Sequence, residues 1–287
     1  MINRLCIIGV GLIGGSLARA LRENNACKTV IGCSRSEAHL QRAVELGVID
    51  EYTTDVIEAV KGADMIILSV PLRAMQSLFE KIDDVVDGGA VITDVGSAKS
   101  SVELAARKGL KQSLSQFVPG HPIAGTEKSG VDASFADLFK DRKIILTPLE
   151  ENSQADIQRV TSMWERTGAN VQCMSVSHHD EVLAATSHLP HVLAFGLVDT
   201  LSQMSDSDEI FQYAAGGFRD FTRIASSDPV MWRDICVENS DAIIKIMDMY
   251  IKDLEALKQL IADADLDSIE TLFTRAKTIR DGYTEST

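Results

Sequence analysis

In the run Val118-Pro119-Gly120-His121-Pro122-Ile123-Ala124-Gly125-Thr126-Glu127, one histidine is set among Gly and Pro breakers. It lies well downstream of a glycine fingerprint, Gly9-Val10-Gly11-Leu12-Ile13-Gly14. Histidine is the side chain best suited to exchange a proton near neutral pH. Fixed beside a nicotinamide ring, it would serve the oxidation of an alcohol. The fingerprint alone predicts nucleotide binding, and the pair predicts hydride chemistry.

The fingerprint follows an apolar run, residues 5–8, and opens a helix. In that setting Gly9 makes the tight turn, Gly11 lets a pyrophosphate approach the backbone, and Gly14 lets helix and strand pack closely. Leu12 and Ile13 lead into the helix, read over residues 16–21, whose free N–H groups point at the phosphates. Ser69, Val70 and Pro71, at the end of the run 65–70, complete the expected cofactor contacts. The choice of cofactor depends on the end of the second strand, where an acidic residue would bind a ribose 2′-hydroxyl and repel a 2′-phosphate. Here the chain reads Ser34-Arg35, a hydroxyl and a fork donor suited to phosphate. NADP is therefore favoured, with NAD as the alternative.

On the substrate side, Asp94-Val95-Gly96-Ser97-Ala98-Lys99 follows a strand and opens a helix. That puts Ser97 at the C-terminal edge of the sheet, where open α/β sheets bind ligands. A hydrogen bond from Ser97 to His121 is expected, beside or instead of a helix N-cap role. Thr126 and Glu127 belong to a polar loop that would line the pocket. Ser187-His188-Leu189-Pro190-His191 puts two histidines on one helical face. His188 is expected to contact substrate or nicotinamide, and His191 to sit in the core bonded to a backbone carbonyl. His178-His179 nearby would suit a metal site, but the remaining ligands are missing and no metal is expected. Arg219 and Arg223, with Asp220 between them, lie four apart among apolar residues, a spacing suited to holding carboxylates.

The elements that must position these groups change in kind along the chain. Residues 5–8, 29–32, 65–70, 90–93, 117–118, 143–146 and 170–174 read as buried strands, alternating with helical stretches such as 36–46 and 153–166. After residue 175 only helical periodicity remains, over 180–204, 229–261 and 268–279. The expected fold is α/β: a doubly wound parallel sheet over residues 1–174, then an all-helical domain over 175–287. Two of its helices are apolar nearly all round, which a small domain cannot hide alone, so a homodimer is expected.

The 287 residues carry a net charge of −14, leaving no basic surplus for nucleic acid. An anionic substrate remains compatible, since a few local cations outweigh distant acids. Five scattered cysteines without a CxxC pair fit reduced thiols better than a disulfide framework. No leader segment is expected, and no apolar stretch is expected to reach the roughly 20 residues of a membrane span. The expected location is the cytoplasm.

Taken together, the fingerprint, residues 94–99 and 120–130, residues 187–191, and residues 216–223 continuing to Trp232-Arg233-Asp234 resemble the prephenate/arogenate (cyclohexadienyl) dehydrogenases of tyrosine biosynthesis. The resemblance runs through nearly the whole chain and is to the monofunctional form. It implies a Rossmann domain with a helical dimerisation domain, and an oxidative decarboxylation that leaves an aromatic ring. By resemblance His121 is the general base, Ser97 orients it, Arg223 holds a substrate carboxylate with Arg219 and Asp220 in support, His188 lines the nicotinamide side, and Thr126 and Glu127 border the pocket mouth. Many relatives have an acidic residue where this chain has Ser34-Arg35, a departure that favours NADP over NAD. The sequence does not choose between prephenate and arogenate. Competing readings are a β-hydroxyacid or imine dehydrogenase, which would rely on a lysine of the helical domain, and a non-catalytic dinucleotide sensor.

Overall fold

The computed structural model describes residues 1–284. Strands β1 (Ile2–Ile8), β2 (Cys27–Cys33), β3 (Glu51–Thr53), β4 (Met65–Leu68), β5 (Val91–Asp94) and β6 (Phe117–Val118) form one parallel sheet. Their order is β3-β2-β1-β4-β5-β6. The order reverses between β1 and β4, and ligands bind at such a switch point.

Continuous apolar runs form the central strands because both faces of the sheet are covered. Leu5 and Ile7 of β1 point to one side and Cys6 and Ile8 to the other, and all four are buried. The first side is closed by α1 (Leu12–Glu23), α2 (Glu37–Glu45) and α6 (Gln154–Glu165), through Leu17, Leu21, Leu40, Val160 and Trp164. The second is closed by α3 (Val56–Val60), α4 (Met75–Ile82) and α5 (Lys99–Gly109), through Val60, Phe79, Ile82, Val102 and Ala106. Ser36 and Ser153 accept hydrogen bonds from the first turns of α2 and α6, each cap contributing about 1 kcal/mol.

The expected single sheet is corrected in one respect. Strands β7 (Gly120–Pro122), β8 (Lys143–Leu146) and β9 (Asn170–Cys173) make a separate three-stranded sheet, antiparallel between β7 and β8 and parallel between β8 and β9. Pro119, which has no N–H to donate, parts β6 from β7 at the point where the chain changes sheets. His121 therefore lies in a strand paired with Ile145, not in a loop. Pro122 is tolerated because β7 is an edge strand. Strand β3, short and carrying Glu51, gave no apolar signal and was not expected.

Beyond Cys173 the described chain is helical: α7 (Val176–Leu183), α8 (Leu189–Ser202), α9 (Ser207–Gln212), α10 (Gly216–Thr222), α11 (Pro229–Glu238), α12 (Ser240–Ala262) and α13 (Leu266–Thr284). The long helix expected over 229–261 is broken at Asn239. A π-helical segment, Ala184–His188, joins α7 to α8. Pro190 follows it closely and would clash with the carbonyl four residues back, a strain that a widened turn relieves. The joined run Val176–Ser202 corrects the membrane expectation: by length and composition it could cross a bilayer. That run bears the buried, hydrogen-bonded His179, Asp180 and His188.

Contacts divide the chain into two compact units, Met1–Ser240 and Asp241–Thr287. Within the second, Ile244, Met249, Ile251, Leu254, Ile261, Phe273 and Ile279 are all exposed. So many large apolar side chains facing outward mark an interaction surface.

Candidate active site

The glycine fingerprint forms the turn its sequence demands. Gly9 has φ +97°, and a Cβ there would stand 2.1 Å from the Ser69 carbonyl oxygen. A Cβ on Gly14 would stand 2.4 Å from the Gly9 oxygen, so this contact of turn and helix admits glycine only. Gly11 has nothing within 4 Å of its Cβ position. Gly11 precedes Leu12 and Ile13 without any side-chain cap, so the first N–H groups of α1 stay available to an anion. Ser69, Val70 and Pro71 follow β4 directly, beside that turn. A dinucleotide pyrophosphate fits this open backbone cradle. At the end of β2 the Ser34 hydroxyl bonds the backbone of Ser36, while Arg35 is exposed and free of hydrogen bonds among the described residues.

At the C-terminal end of β5, Asp94 and Lys99 form a fully buried ion pair at 2.6 Å. The two clamp a single residue from both sides of its Cα. Asp94 Oδ1 accepts from Gly120 N–H at 3.1 Å, and Lys99 Nζ donates to the Gly120 carbonyl at 2.7 Å. The residue so fixed is the neighbour of His121. A Cβ on Gly120 would be tight against Asp94 O, Leu146 and Thr93, so the clamp closes around glycine.

His121 is 8% exposed, and its Nδ1 lies 2.8 Å from His179 Nε2. His179 Nδ1 in turn lies 2.8 Å from Asp180 Oδ1. Asp180 also accepts from the backbone N–H groups of Lys99 and Ser100, at 2.7 and 2.8 Å, and so caps α5 from α7. A carboxylate at a helix N-terminus is stabilised by the aligned peptide dipoles. No hydrogen bond among the described residues engages His121 Nε2. Burial first, then the neighbouring His179, Lys99 and His188, hold the His121 pKa well below the usual histidine value. The ring is neutral at physiological pH. Asp180 resists its burial through bonds from His179, Ser100 and Lys99, which keep it below the usual carboxylate range.

The expected partner of His121 is corrected here. Ser97 lies half-buried in the bend between β5 and α5, and its hydroxyl makes no hydrogen bond among the described residues. Nor is it the cap of α5, whose cap position is Ala98. The ring is held by His179 because α7 brings that residue to Nδ1. In the sequence His179 reads only as a neighbour of a metal site and Asp180 only as the start of a helix; among the described residues no metal-ligating cluster occurs. The adjacent His–Asp pair was a usable signal, but its partner strand is fixed only by tertiary folding.

His188 is buried, with Nδ1 3.0 Å from Asn239 Nδ2 and Nε2 lacking a partner among the described residues. Burial pulls its pKa down to about 4 despite the opposing Asp180. His191 bonds the Ser187 carbonyl at 2.9 Å, as expected, and stacks on Trp232 with centroids 3.6 Å apart. Arg223 closes α10 and forms an ion pair with Glu127, joining two residues assigned to the pocket from distant parts of the sequence. Thr126 Oγ1 accepts from Lys128 N–H in the same loop, and Arg219 and Asp220 are exposed on α10.

A switch-point cradle that fits a dinucleotide stands in the same domain as a buried, neutral histidine on β7. The class is that of the nicotinamide-dependent dehydrogenases. The models for the prephenate dehydrogenase nucleotide-binding domain and dimerization domain match residues 17–173 and 175–275, and the chain belongs to the prephenate dehydrogenase family. The first match begins just past the glycine fingerprint, which stands on its own geometry. The chain is 39% identical over 280 residues to the cyclohexadienyl dehydrogenase of Zymomonas mobilis, covering 97% of this chain and 95% of that one. It is 37% identical to the prephenate dehydrogenase of Bacillus subtilis, covering 98% of this chain and 76% of that one. The prephenate dehydrogenase from Aquifex aeolicus in complex with hydroxyphenyl propionate and NAD+ superposes with a TM-score of 0.91 at 38% identity, covering 98% of each chain. The arogenate dehydrogenase of Synechocystis follows with a TM-score of 0.81 at 29% identity, covering 98% of this chain and 99% of that one. Family membership sets aside the β-hydroxyacid, imine and sensor readings.

Proposed function

We propose that the protein oxidatively decarboxylates prephenate, or arogenate, in tyrosine biosynthesis, with His121 as general base. The observation that carries this reading is the His121 ring: buried, neutral, tethered at Nδ1 and unengaged at Nε2. Gly9, Gly11, Leu12, Ile13, Gly14, Ser69, Val70 and Pro71 hold the dinucleotide, which when bound supplies the hydride acceptor. His121 Nε2 takes the proton of the ring hydroxyl. Arg223 presents the unused donors of its fork to a substrate carboxylate, with Arg219 and Asp220 beside it and Thr126 and Glu127 at the mouth. His188 lines the nicotinamide side with its unpaired Nε2. Ser97, at the edge of β5, contacts the reacting region. Release of carbon dioxide and gain of aromaticity drive the reaction, so these side chains chiefly position and deprotonate.

The reading extends to partners and cofactor. Residues 1–174 form the dinucleotide domain, and residues 175–287 the substrate and dimerisation domain of a cytoplasmic homodimer. Its exposed apolar helices and five free cysteines support that state. Ser34 and the unpaired Arg35 favour the 2′-phosphate of NADP over NAD.

Formation of reduced nicotinamide, measured with prephenate and arogenate against NAD and NADP, tests the whole reading. Turnover is expected, fastest with NADP; inactivity of folded, dinucleotide-binding protein in all four combinations overturns it. Arg223→Ala should raise KM by roughly 10- to 100-fold, matching a charge-assisted bond of about 1.5–3 kcal/mol. An unchanged KM would remove Arg223 from carboxylate binding.

A further inference from the structure

The histidine reading above leaves Asp180 and His179 without a part in the reaction, although they sit directly behind the base. We propose that His179, backed by Asp180, is a positioning residue that locks His121 in the tautomer with Nδ1 protonated and Nε2 bare. The inference rests on His121 being the base.

The hydrogen-bond network leaves one consistent proton assignment. Asp180 is an ionised carboxylate that already accepts from the Lys99 and Ser100 N–H groups, so it can only accept from His179 Nδ1. A neutral His179 with its proton on Nδ1 has a bare Nε2. That nitrogen faces His121 Nδ1 at 2.8 Å, and two bare nitrogens would repel, so His121 Nδ1 must carry the proton. His179 is itself kept neutral: it is fully buried, and Lys99 opposes its protonation, though Asp180 favours it. The free electron pair of His121 then lies on Nε2, the nitrogen no described residue engages.

Without this backing, an imidazole in water prefers its proton on Nε2, the wrong nitrogen for a base acting there. The chain also serves the charged state. When Nε2 accepts the substrate proton, the Nδ1–H bond to His179 strengthens, and Asp180 stands behind as counter-charge. Lys99, Asp94 and His188 are the other ionisable groups around this chain. None of them offers His121 Nδ1 an acceptor, so the assignment falls on His179 alone.

The tautomer can be read directly by 15N NMR of the histidine rings in the intact protein with dinucleotide bound. The wild-type His121 signal should be that of a neutral Nδ1–H ring. His179→Leu should shift it toward Nε2–H and lower kcat on the order of 10²-fold, with KM and dinucleotide affinity nearly unchanged. In His179→Gln, the side-chain carbonyl can accept the Nδ1 proton, so this variant should recover most of the loss. An Nε2–H ring in the wild type overturns the proposal, and that result needs no variant to fold. A folded His179→Leu within about threefold of wild-type kcat, or a Gln variant no better than Leu, overturns it as well. A proposal failing here while His121→Asn remains inactive fails alone; if His121→Asn is active, the base assignment falls first.

Discussion

His121→Asn is expected to lower kcat on the order of 10²- to 10⁴-fold while dinucleotide binding persists. Asparagine fills much of the same volume and can still donate toward His179, so the strand and its neighbours should survive the change. It has no nitrogen that can accept a proton at neutral pH. The cradle for the dinucleotide belongs to different strand ends and shares no hydrogen bond with His121. The pH dependence should carry the same signature. The active form of the base is neutral, so kcat/KM should rise with pH through the base pKa and then level off. Burial first, then the neighbouring His179, Lys99 and His188, hold that pKa well below the usual histidine value, so the plateau should already be reached at neutral pH. Steady-state rates across the acid range and dinucleotide titration of the variant check both statements. Near-normal turnover in His121→Asn would dismiss the histidine from the chemistry.

The second large effect should come from Lys99→Met. The change removes the ammonium from a pair in which neither side chain has any exposure. Asp94 would keep its bonds from Gly96 and Gly120 N–H but lose its counter-ion, and the Gly120 carbonyl would lose its donor. Stranding one member of a buried pair costs about 3–5 kcal/mol. For a chain of this size that is roughly a 10 °C fall in melting temperature. Arg107→Met makes the contrast: Arg107 pairs with Glu103 and Glu151 at the surface, where such pairs are worth less than about 1 kcal/mol. Denaturant or thermal unfolding of the two variants side by side decides the matter. A Lys99→Met protein as stable as Arg107→Met would mean that water or a shifted side chain reaches Asp94.

The sequence and the structure agree best where chemistry is carried by neighbours in the chain. The fingerprint was legible because its turn, cradle and helix start are built from six consecutive residues that leave room only for glycine at Gly9 and Gly14. The helices of the first half were legible from apolar spacing and from serine caps such as Ser36 and Ser153. What could not be read was a matter of long-range pairing. Strand β7 has three residues, two of them Gly and Pro, and exists because β8 supplies a partner more than twenty residues later. Ser97 seemed the natural companion of His121 because both follow strands of the sheet. His179 takes that place through a helix 58 residues further along the chain. The run Val176–Ser202 was undervalued for the opposite reason, since charged and polar residues at its start hid how apolar the continuous helix is.

Asp180 also has a consequence for how this protein can vary. Its two oxygens are shared among three donors: Oδ1 serves the His179 ring and the Lys99 N–H, and Oδ2 serves the Ser100 N–H. Asparagine would have to turn an amino group toward at least one of these donors. Glutamate is a methylene too long to meet them from the same backbone position. The end of a helix and the alignment of an imidazole thus draw on one small group, and no common side chain of similar size satisfies both. Mutational drift at Asp180 is blocked from two independent directions, and the position should tolerate less variety than its distance from any substrate atom would suggest.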